Sequence, residues 1–331
     1  MSHVPEQVAR LALSKRTIRM NTAKAVLLFL TLTVANASGC GNITGANGGS
    51  PPAGDTIYLN HDLSTGDLSQ WTHRDFGFGT DTGSNDSGAG YLWYHANVAG
   101  LKAAGLTATP AAHASPAASS DSVYLWEPTA PWNYAPYEIW LRTSIMFPSA
   151  ATISAAGAKG EQPFHPTTGS WNWFLELHND SNPSPVQENS PICFGILTDG
   201  PVSTRVGRHP RIFCRLAGGS DSAIQTLYVY ENGVGALGAA GVPLQYDHWY
   251  PFLIHVKLSP TAGAFEWFEG SKTIYSNLNI PTLYSRPAGY VSPSYTSLTV
   301  TNYRLHASWS STIYFGPLVV GSTRQAVLSA F

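Results

Sequence analysis

Short apolar and aromatic runs, separated by clusters of turn-forming residues, make up most of this chain. The runs are rich in Tyr, Trp, Val, Ile and Thr, the clusters contain Gly, Pro, Asn and Ser, and no long segment has a helical period. This pattern predicts an all-β fold, a two-sheet antiparallel sandwich or a jelly roll, with surface loops over 99–121 and 148–170. The predicted strands span 56–60, 90–95, 122–127, 137–147, 171–179, 192–198, 211–216, 225–231, 249–258, 263–269, 272–276, 296–305 and 312–320.

The strand 171–179 has the most informative alternation. One set of alternate positions is apolar: Trp171, Trp173, Leu175 and Leu177. The other set is mostly polar: Asn172, Phe174, Glu176 and His178. Because a strand directs alternate side chains to opposite faces, we expect the first set in the core and the second on a polar face. An amide, a carboxylate and an imidazole in one line indicate the floor of a cleft.

Two other strands alternate in the same way. The strand 137–147 has a polar and aromatic face made by Glu138, Trp140, Arg142 and Ser144. The strand 296–306 has Thr299, Thr301 and Tyr303 on one face, and on the opposite face Val300, Asn302 and Arg304. These three strands supply the candidate functional residues.

The first forty residues have the features of an export signal. Four basic residues between positions 15 and 24 precede an apolar run over 25–34, which is too short to span a bilayer as a helix. Two processing sites fit: Ala-Asn-Ala at 35–37, and a sequence at 37–40 that is similar to a bacterial lipoprotein box ending in Cys40. We expect a signal peptide of lipoprotein type over 1–40, a flexible tether over 41–54 and one domain over 55–331. The protein is then exported, as a cell-envelope lipoprotein or in secreted form.

The cysteine count bears on the choice between these sites. The chain has three cysteines, and an odd number is unusual in an exported protein. Lipidation of Cys40 leaves Cys193 and Cys214, which we expect to form a disulfide between neighbouring strands in an oxidising compartment.

Composition narrows the classes of partner. Charged residues make up 11% of the chain, against about 25% in typical soluble domains. The net charge of −2 gives no basis for binding nucleic acid or a membrane surface, so membrane contact is expected only through the lipid anchor. The histidines at 165, 248 and 255 lack metal-ligand spacing, and we expect no zinc site or cofactor.

Several segments together resemble one enzyme group. They are DLSTGDLSQW at 62–71, WNWFLELH at 171–178, the hairpin at 248–272, and TNYRL followed by IYFGPLVVG near the end. This set is similar to the polysaccharide lyases built on a concanavalin A-like jelly roll, especially the heparin lyase I and glucuronan lyase group, which are related to the jelly-roll alginate lyases.

The resemblance implies cleavage of a uronic-acid polysaccharide by β-elimination. A lyase removes the proton at C5, expels the oxygen at C4, and neutralises the uronate carboxylate to stabilise the developing charge. On this basis Arg142 and Asn172 would bind the carboxylate, while His178 and Tyr303 would share the base and acid roles. The order of these roles depends on syn or anti elimination and stays open.

Other polar residues are candidates for substrate binding. They are Trp140, Glu176, Arg205, Arg208 and Arg211, the arginines forming with Arg215 a basic stretch that would attract an anionic polysaccharide. The alternatives are ordinary: Trp140 as core filler, Arg142 paired with Glu138 or Glu176, and the basic stretch as a solvated loop.

The chain also departs from the group. Its tyrosine strand has Thr299, Thr301 and Tyr303 where members often carry Lys-x-Gly-x-Tyr, and Gly316 stands where an acidic residue is common, which leaves a structural calcium ion unsupported.

The alternative functions are a non-catalytic carbohydrate-binding protein and a glycoside hydrolase. A retaining hydrolase needs two carboxylates about 5 Å apart, and the segment Glu176–Asp180 lacks the usual second Glu. A monomer is expected, and the identity of the polymer stays open.

Overall fold

The computed structural model describes thirteen segments of the chain. They are residues 54–76, 90–110, 120–128, 138–166, 171–178, 192–197, 210–220, 223–230, 233–235, 242–259, 261–282, 297–305 and 309–330. The chain divides into two units, Met1–Gly45 and Ala46–Phe331. The predicted signal peptide, Cys40 and nearly all of the predicted tether lie outside the described residues.

The described elements are almost all strands. In chain order they are β1 (Ile57–His61), β2 (His73–Phe76), β3 (Gly90–Val98), β4 (Leu101–Ala108), β5 (Ser120–Pro128), β6 (Glu138–Met146), α1 (Ala150–Ala156), β7 (Trp171–His178), β8 (Ile192–Leu197), β9 (Arg211–Ser220), β10 (Ala223–Tyr230), β11 (Gly233–Gly235), β12 (Trp249–Lys257), β13 (Gly263–Glu269), β14 (Lys272–Ile280), β15 (Ser297–Leu305), β16 (Ser311–Phe315), β17 (Leu318–Gly321) and α2 (Arg324–Ser329).

Two antiparallel sheets form a sandwich, which confirms the predicted all-β jelly-roll class. Sheet A has nine strands in the order β14-β13-β12-β6-β16-β4-β3, with β17 beside β6 and β1 beside β17. Sheet B has eight strands in the order β11-β10-β9-β8-β7-β15-β5-β2. Sheet B contains the consecutive strands β7 to β11, which pair in chain order, and β15, β5 and β2 join them from distant parts of the chain. In sheet A, β6, β16 and β17 pair with strands that are distant in sequence.

The core between the sheets is rich in aromatic rings. Phe194 of sheet B packs against Trp267 and Phe252 of sheet A, with ring centroids 5.2 and 5.4 Å apart. Phe174 and Phe265 complete this group, and all five side chains are buried. Part of the high aromatic content is therefore structural.

The two helices cover parts of the outer face of sheet A. Near α1, Met146 and Tyr314 form a buried cluster against which Ile153 packs. At α2, Val327 packs against Leu253 and Phe268. In the part of the chain that the structure describes, neither helix is long and apolar enough to cross a membrane.

One strand was missed in the predicted loop 99–121. The strand β4 runs from Leu101 to Ala108, and its Ala104 and Leu106 face the core. On the other face, an added Cβ at Gly105 would collide with the Glu161 carboxylate. Small residues have low strand propensity; this segment forms a strand because it fits between β3 and β16.

The predicted disulfide is wrong, because both cysteines are free. In the β8–β9 pairing Cys193 is opposite Arg215, and Cys214 is opposite Phe194. This offset of one residue places Cys214 in the core and Cys193 on the outer face of sheet B. Their side chains therefore point to opposite sides of the sheet and cannot bond without moving a strand.

Candidate functional site

The outer face of sheet B combines aromatic rings with arginines and a tyrosine hydroxyl. Trp173, Phe213 and Tyr230 form a buried cluster there, and Tyr228 and Tyr303 pack against it. This surface, on β7 to β10 and β15, is the candidate site.

A bulge in β7 decides which residues face this site. Against β8, Trp173 is opposite Gly195 and Leu175 is opposite Phe194, so Phe174 is an extra residue. Phe174 and Leu175 both face the core, which places Trp173 and Glu176 together on the outer face. The predicted regular alternation of this strand is therefore wrong at its centre, because a bulge shifts the two-residue period by one.

Gly195 allows Trp173 to lie across the neighbouring strand. An added Cβ at Gly195 would lie only 2.7 Å from the Trp173 ring. With no side chain in the way, the ring of Trp173 reaches Phe213 on β9, at a centroid distance of 5.1 Å. The result is an aromatic surface that continues over three strands.

Two arginines on β9 are held over aromatic rings. The guanidinium carbon of Arg215 lies 5.6 Å from the centre of the Trp173 ring, and its Nη2 donates to Cys193 Sγ at 3.8 Å. Arg211 lies 5.8 Å from the ring centre of Tyr230. Arg215 is half-buried, whereas Arg211 is only 2% exposed. Cation–π contact of this kind orients a guanidinium before any ligand binds.

Tyr303 lies beside this surface on β15. It is paired with Trp173 across the strands and is half-buried. The predicted alternation of β15 is confirmed, because Val300 faces the core while Tyr303 faces outward. Farther along, Glu176 is buried opposite Thr299 and Cys193.

The structure does not bring Arg142 and Trp140 together with Tyr303. Both lie on the outer face of sheet A, and the sandwich, with sheets about 10 Å apart, separates them from sheet B. Arg142 Nη1 donates to the carbonyl of Leu328 in α2 at 3.3 Å. Trp140 stacks on His255, with centroids 4.3 Å apart and planes 8° apart.

On the outer face of sheet A, His255 binds two carboxylates. Its Nε2 is 2.8 Å from Glu138 Oε1, and its Nδ1 is 2.8 Å from Glu266 Oε2. Glu138 is thus engaged with His255. Among the described residues, no group of three or more His, Cys, Asp or Glu side chains could hold a metal ion.

Asn172 also lies away from the candidate site. Its side chain is fully buried and its Nδ2 donates to Asn302 Oδ1 at 3.2 Å, between the sheets. The bulge explains this placement, since Asn172 shares the core-facing phase with Phe174.

Three predicted site residues are described partly or not at all. His178 ends β7 opposite Ser297, but its side chain lies outside the described part. Arg205 and Arg208 fall in a segment outside the described residues. Their roles stay predictions.

Sequence analysis did not place Trp173, Phe213 and Gly195 at the candidate site, and it named Arg215 only as part of the basic stretch. The alternation of β9 contained the signal, since Arg211, Phe213 and Arg215 occupy one phase and Ile212 and Cys214 the other. The contribution of Trp173 depends on the bulge, which no local pattern indicated.

Comparisons with known proteins find similarity in structure. No protein-family model matches the sequence, and no curated protein matches it. Similar solved structures include the binding domain of botulinum neurotoxin DC, at 9% identity and a TM-score of 0.39 over 81% of this chain and 48% of that one. The chain thus spans about half of the neurotoxin domain.

Two other similar structures are related to carbohydrates by name. The CBM2 module of the evolved Dit from Lactobacillus casei BL23 phage J-1 has 10% identity and a TM-score of 0.36, covering 81% of this chain and 96% of that one. An alginate lyase from Klebsiella pneumoniae has 9% identity and a TM-score of 0.37, covering 70% of this chain and 85% of that one. At these values no residue role transfers from either protein.

Proposed function

We propose that the outer face of sheet B binds a uronate-containing polysaccharide and cleaves it by β-elimination. The observation that carries the proposal is the pairing of Tyr303 with Trp173, whose ring also holds the Arg215 guanidinium. An ionisable hydroxyl, a flat apolar surface and an oriented cation are then adjacent. These are the groups that a reaction at a carbon beside a sugar carboxylate requires.

Arg215 takes the role that sequence analysis assigned to Arg142. A guanidinium pairs with a carboxylate through two parallel hydrogen bonds, and this neutralisation makes the adjacent C5 proton more acidic. The half-buried rings of Tyr228 and Tyr303, which pack against the buried Trp173 and Phe213, offer an apolar surface for the sugar ring.

Tyr303 takes part in proton transfer at the centre of the site, while His178 stays a predicted partner whose backbone lies five residues beyond Trp173 on β7, about 16 Å along the strand at roughly 3.3 Å per residue. A base takes the C5 proton, the C5–H electron pair forms the C4–C5 double bond, and the C4–O bond breaks as an acid protonates the leaving oxygen. The atoms balance without an oxidant, a reductant or added water. Glu176 lies on the same face and is buried opposite Thr299 and Cys193.

The test is incubation with a panel of uronate polysaccharides, followed through the ultraviolet absorbance of the 4,5-unsaturated product. We expect one polymer to be cleaved, and Tyr303→Phe to lower kcat by about 100-fold or more, the usual contribution of a positioned acid or base. Arg215→Met should lower kcat/KM by about tenfold or more, because a charge-assisted hydrogen bond contributes roughly 1.5–3 kcal/mol.

Arg142→Met is the matched control, because Arg142 is also half-buried but lies on the other sheet. Its kcat/KM should stay within about twofold of the unsubstituted protein, as for substitutions that touch no reacting group. Equal losses in the two arginine variants would contradict the assignment of Arg215.

A second candidate is carbohydrate binding without cleavage. It is favoured by the absence of lysine on the tyrosine strand, where Thr299 stands at the lysine position, opposite Glu176. Retarded migration in affinity gels without any rise in absorbance would support this candidate over the lyase.

We also infer export and lipidation at Cys40, from the basic and apolar segments that precede it. Mass spectrometry of the mature N-terminus tests this, and a chain beginning at Ser38 with free Cys40 would contradict it.

A further inference from the structure

We infer that the buried side chains of Asn302, Asn172 and Arg304 are positioning residues for Tyr303. This inference rests on the proposed function, since it concerns the residue assigned to proton transfer there. None of these three side chains touches the outer face of sheet B. They act through the strands that present Tyr303 and Trp173.

The first step is the set of bonds made by Asn302. Its Nδ2 donates to the carbonyls of Leu106, at 3.1 Å, and Ser311, at 2.7 Å, which belong to β4 and β16 of sheet A. Its Oδ1 accepts from Asn172 Nδ2 at 3.2 Å. One amide therefore joins two strands of sheet B to two strands of sheet A.

Arg304, two residues after Asn302 on β15, makes a similar connection to sheet A. Its Nη2 donates to the carbonyls of Ala108, at 3.3 Å, and Trp309. Asn302 and Arg304 are both 0% exposed. The residue between them is Tyr303, so the backbone on each side of the tyrosine is held to sheet A by side-chain hydrogen bonds.

The same pairing holds the other half of the site. Asn172 immediately precedes Trp173, and Trp173 is the residue paired with Tyr303. The bulge at Phe174 follows directly. A bulge leaves a residue without a ladder partner and lets the strand bend, and the amide bond from Asn172 limits that freedom beside the site.

Energetics argue that these polar groups serve position. The surrounding inter-sheet core is apolar, including Leu106, Val300 and Ile313. Burying an amide or a guanidinium there costs free energy, and apolar residues of similar shape can replace a paired set with little loss of stability. Directional bonds, unlike apolar contacts, specify one register between the sheets.

The experiment compares three variants. Asn302→Leu leaves the Leu106 and Ser311 carbonyls and Asn172 without their partner, so both stability and kcat should fall. The double variant N172L/N302L also removes the buried amide of Asn172 and should recover part of the stability. Its kcat should stay about tenfold to a hundredfold below the unsubstituted protein, because a displacement of about 1 Å can cost that much, while KM changes less.

Thr107→Val is the matched control. It removes a buried hydrogen bond between the hydroxyls of Thr107 and Thr312, 2.9 Å apart, on the outer face of sheet A. It should lower the melting temperature without changing kcat. A double leucine variant that regains full kcat together with stability would show a merely structural role and overturn the inference.

A spectroscopic measurement separates this inference from the proposed function. Fluorotyrosine is incorporated, and the ¹⁹F resonance of Tyr303 is assigned by its disappearance in Tyr303→Phe. We expect that resonance to shift in both leucine variants and to stay in place in Thr107→Val. If no polymer is cleaved, the proposed function fails while this readout still decides the inference. An unchanged Tyr303 resonance in both leucine variants overturns it.

Discussion

The position of the Trp173 ring depends on the absence of a side chain at Gly195. The ring occupies the space above Gly195, where a Cβ would come within 2.7 Å of the ring and 2.8 Å of the Asn172 carbonyl. From there the ring contacts Phe213 and holds Arg215. Glycine is required at position 195 because the Trp173 ring and the Asn172 carbonyl approach its Cα closely. A left-handed backbone conformation is not the reason, since Gly195 does not have a positive φ.

Gly195→Ala should therefore displace the Trp173 ring and weaken polysaccharide binding. The crowding should also destabilise the fold by about 1–3 kcal/mol, as overpacking does in other cores. Affinity electrophoresis and thermal unfolding measure the two effects. Gly316→Ala is a control on sheet A, where the added Cβ would meet Ser144 Cβ at 3.3 Å. Binding that is unaffected in Gly195→Ala would remove Trp173 from the site.

At the scale of the elements, register between strands decides what each residue can do. Cys193 and Cys214 lie on neighbouring strands, yet a one-residue offset directs them to opposite faces of sheet B. The bulge in β7 has the reverse effect, because it brings Trp173 and Glu176, three residues apart, to the same face. Neither outcome follows from the spacing of residues within one strand.

The thiols lead to a prediction about redox state. Unfolding the purified mature protein without reductant should expose two reactive thiols, from Cys193 and Cys214, because both are free in the fold. Dithiothreitol should leave the melting temperature unchanged. A loss of two mass units relative to the reduced protein, or a lower melting temperature in reductant, would indicate a disulfide.

At the scale of the whole molecule, other segments of the chain cover the outer face of sheet A. The outer face of sheet A packs against both helices and against the segment that carries Glu161. Glu161 is buried there, bound by His95 Nε2 at 2.9 Å and by the Tyr314 hydroxyl at 2.9 Å. These contacts hold the helices and the Glu161 segment against sheet A.

The buried Tyr314 predicts a loss of stability at high pH. Burial, together with the adjacent Glu161 carboxylate, raises the pKa of Tyr314 above its ordinary value of 10.0. The folded state therefore keeps this proton while the unfolded state loses it, so the free energy of unfolding falls as pH rises above about 10. Burial also raises the pKa of the Cys214 thiol, which adds to the loss.

Denaturant unfolding between about pH 8 and 11 measures this effect. Tyr314→Phe removes one of the titrating groups and should show a smaller decline than the unsubstituted protein. If the free energy of unfolding declined equally in the two proteins, Tyr314 would not be the cause of the loss of stability at high pH.

The sequence by itself determined the fold class, most strands and the regular faces of β6 and β15. These features follow from a local cause, since alternation between water and core repeats every two residues. Tertiary structure decided the rest. Arg142 and Tyr303 have equivalent patterns along their strands, but only the order of strands shows that they belong to different sheets. The bulge at Phe174, the offset of the cysteines and the placement of Arg215 and Arg142 on different sheets all arise from pairing between strands. Their physical cause is the packing and hydrogen bonding of one strand against its neighbour. The sequence of a single strand does not carry this information.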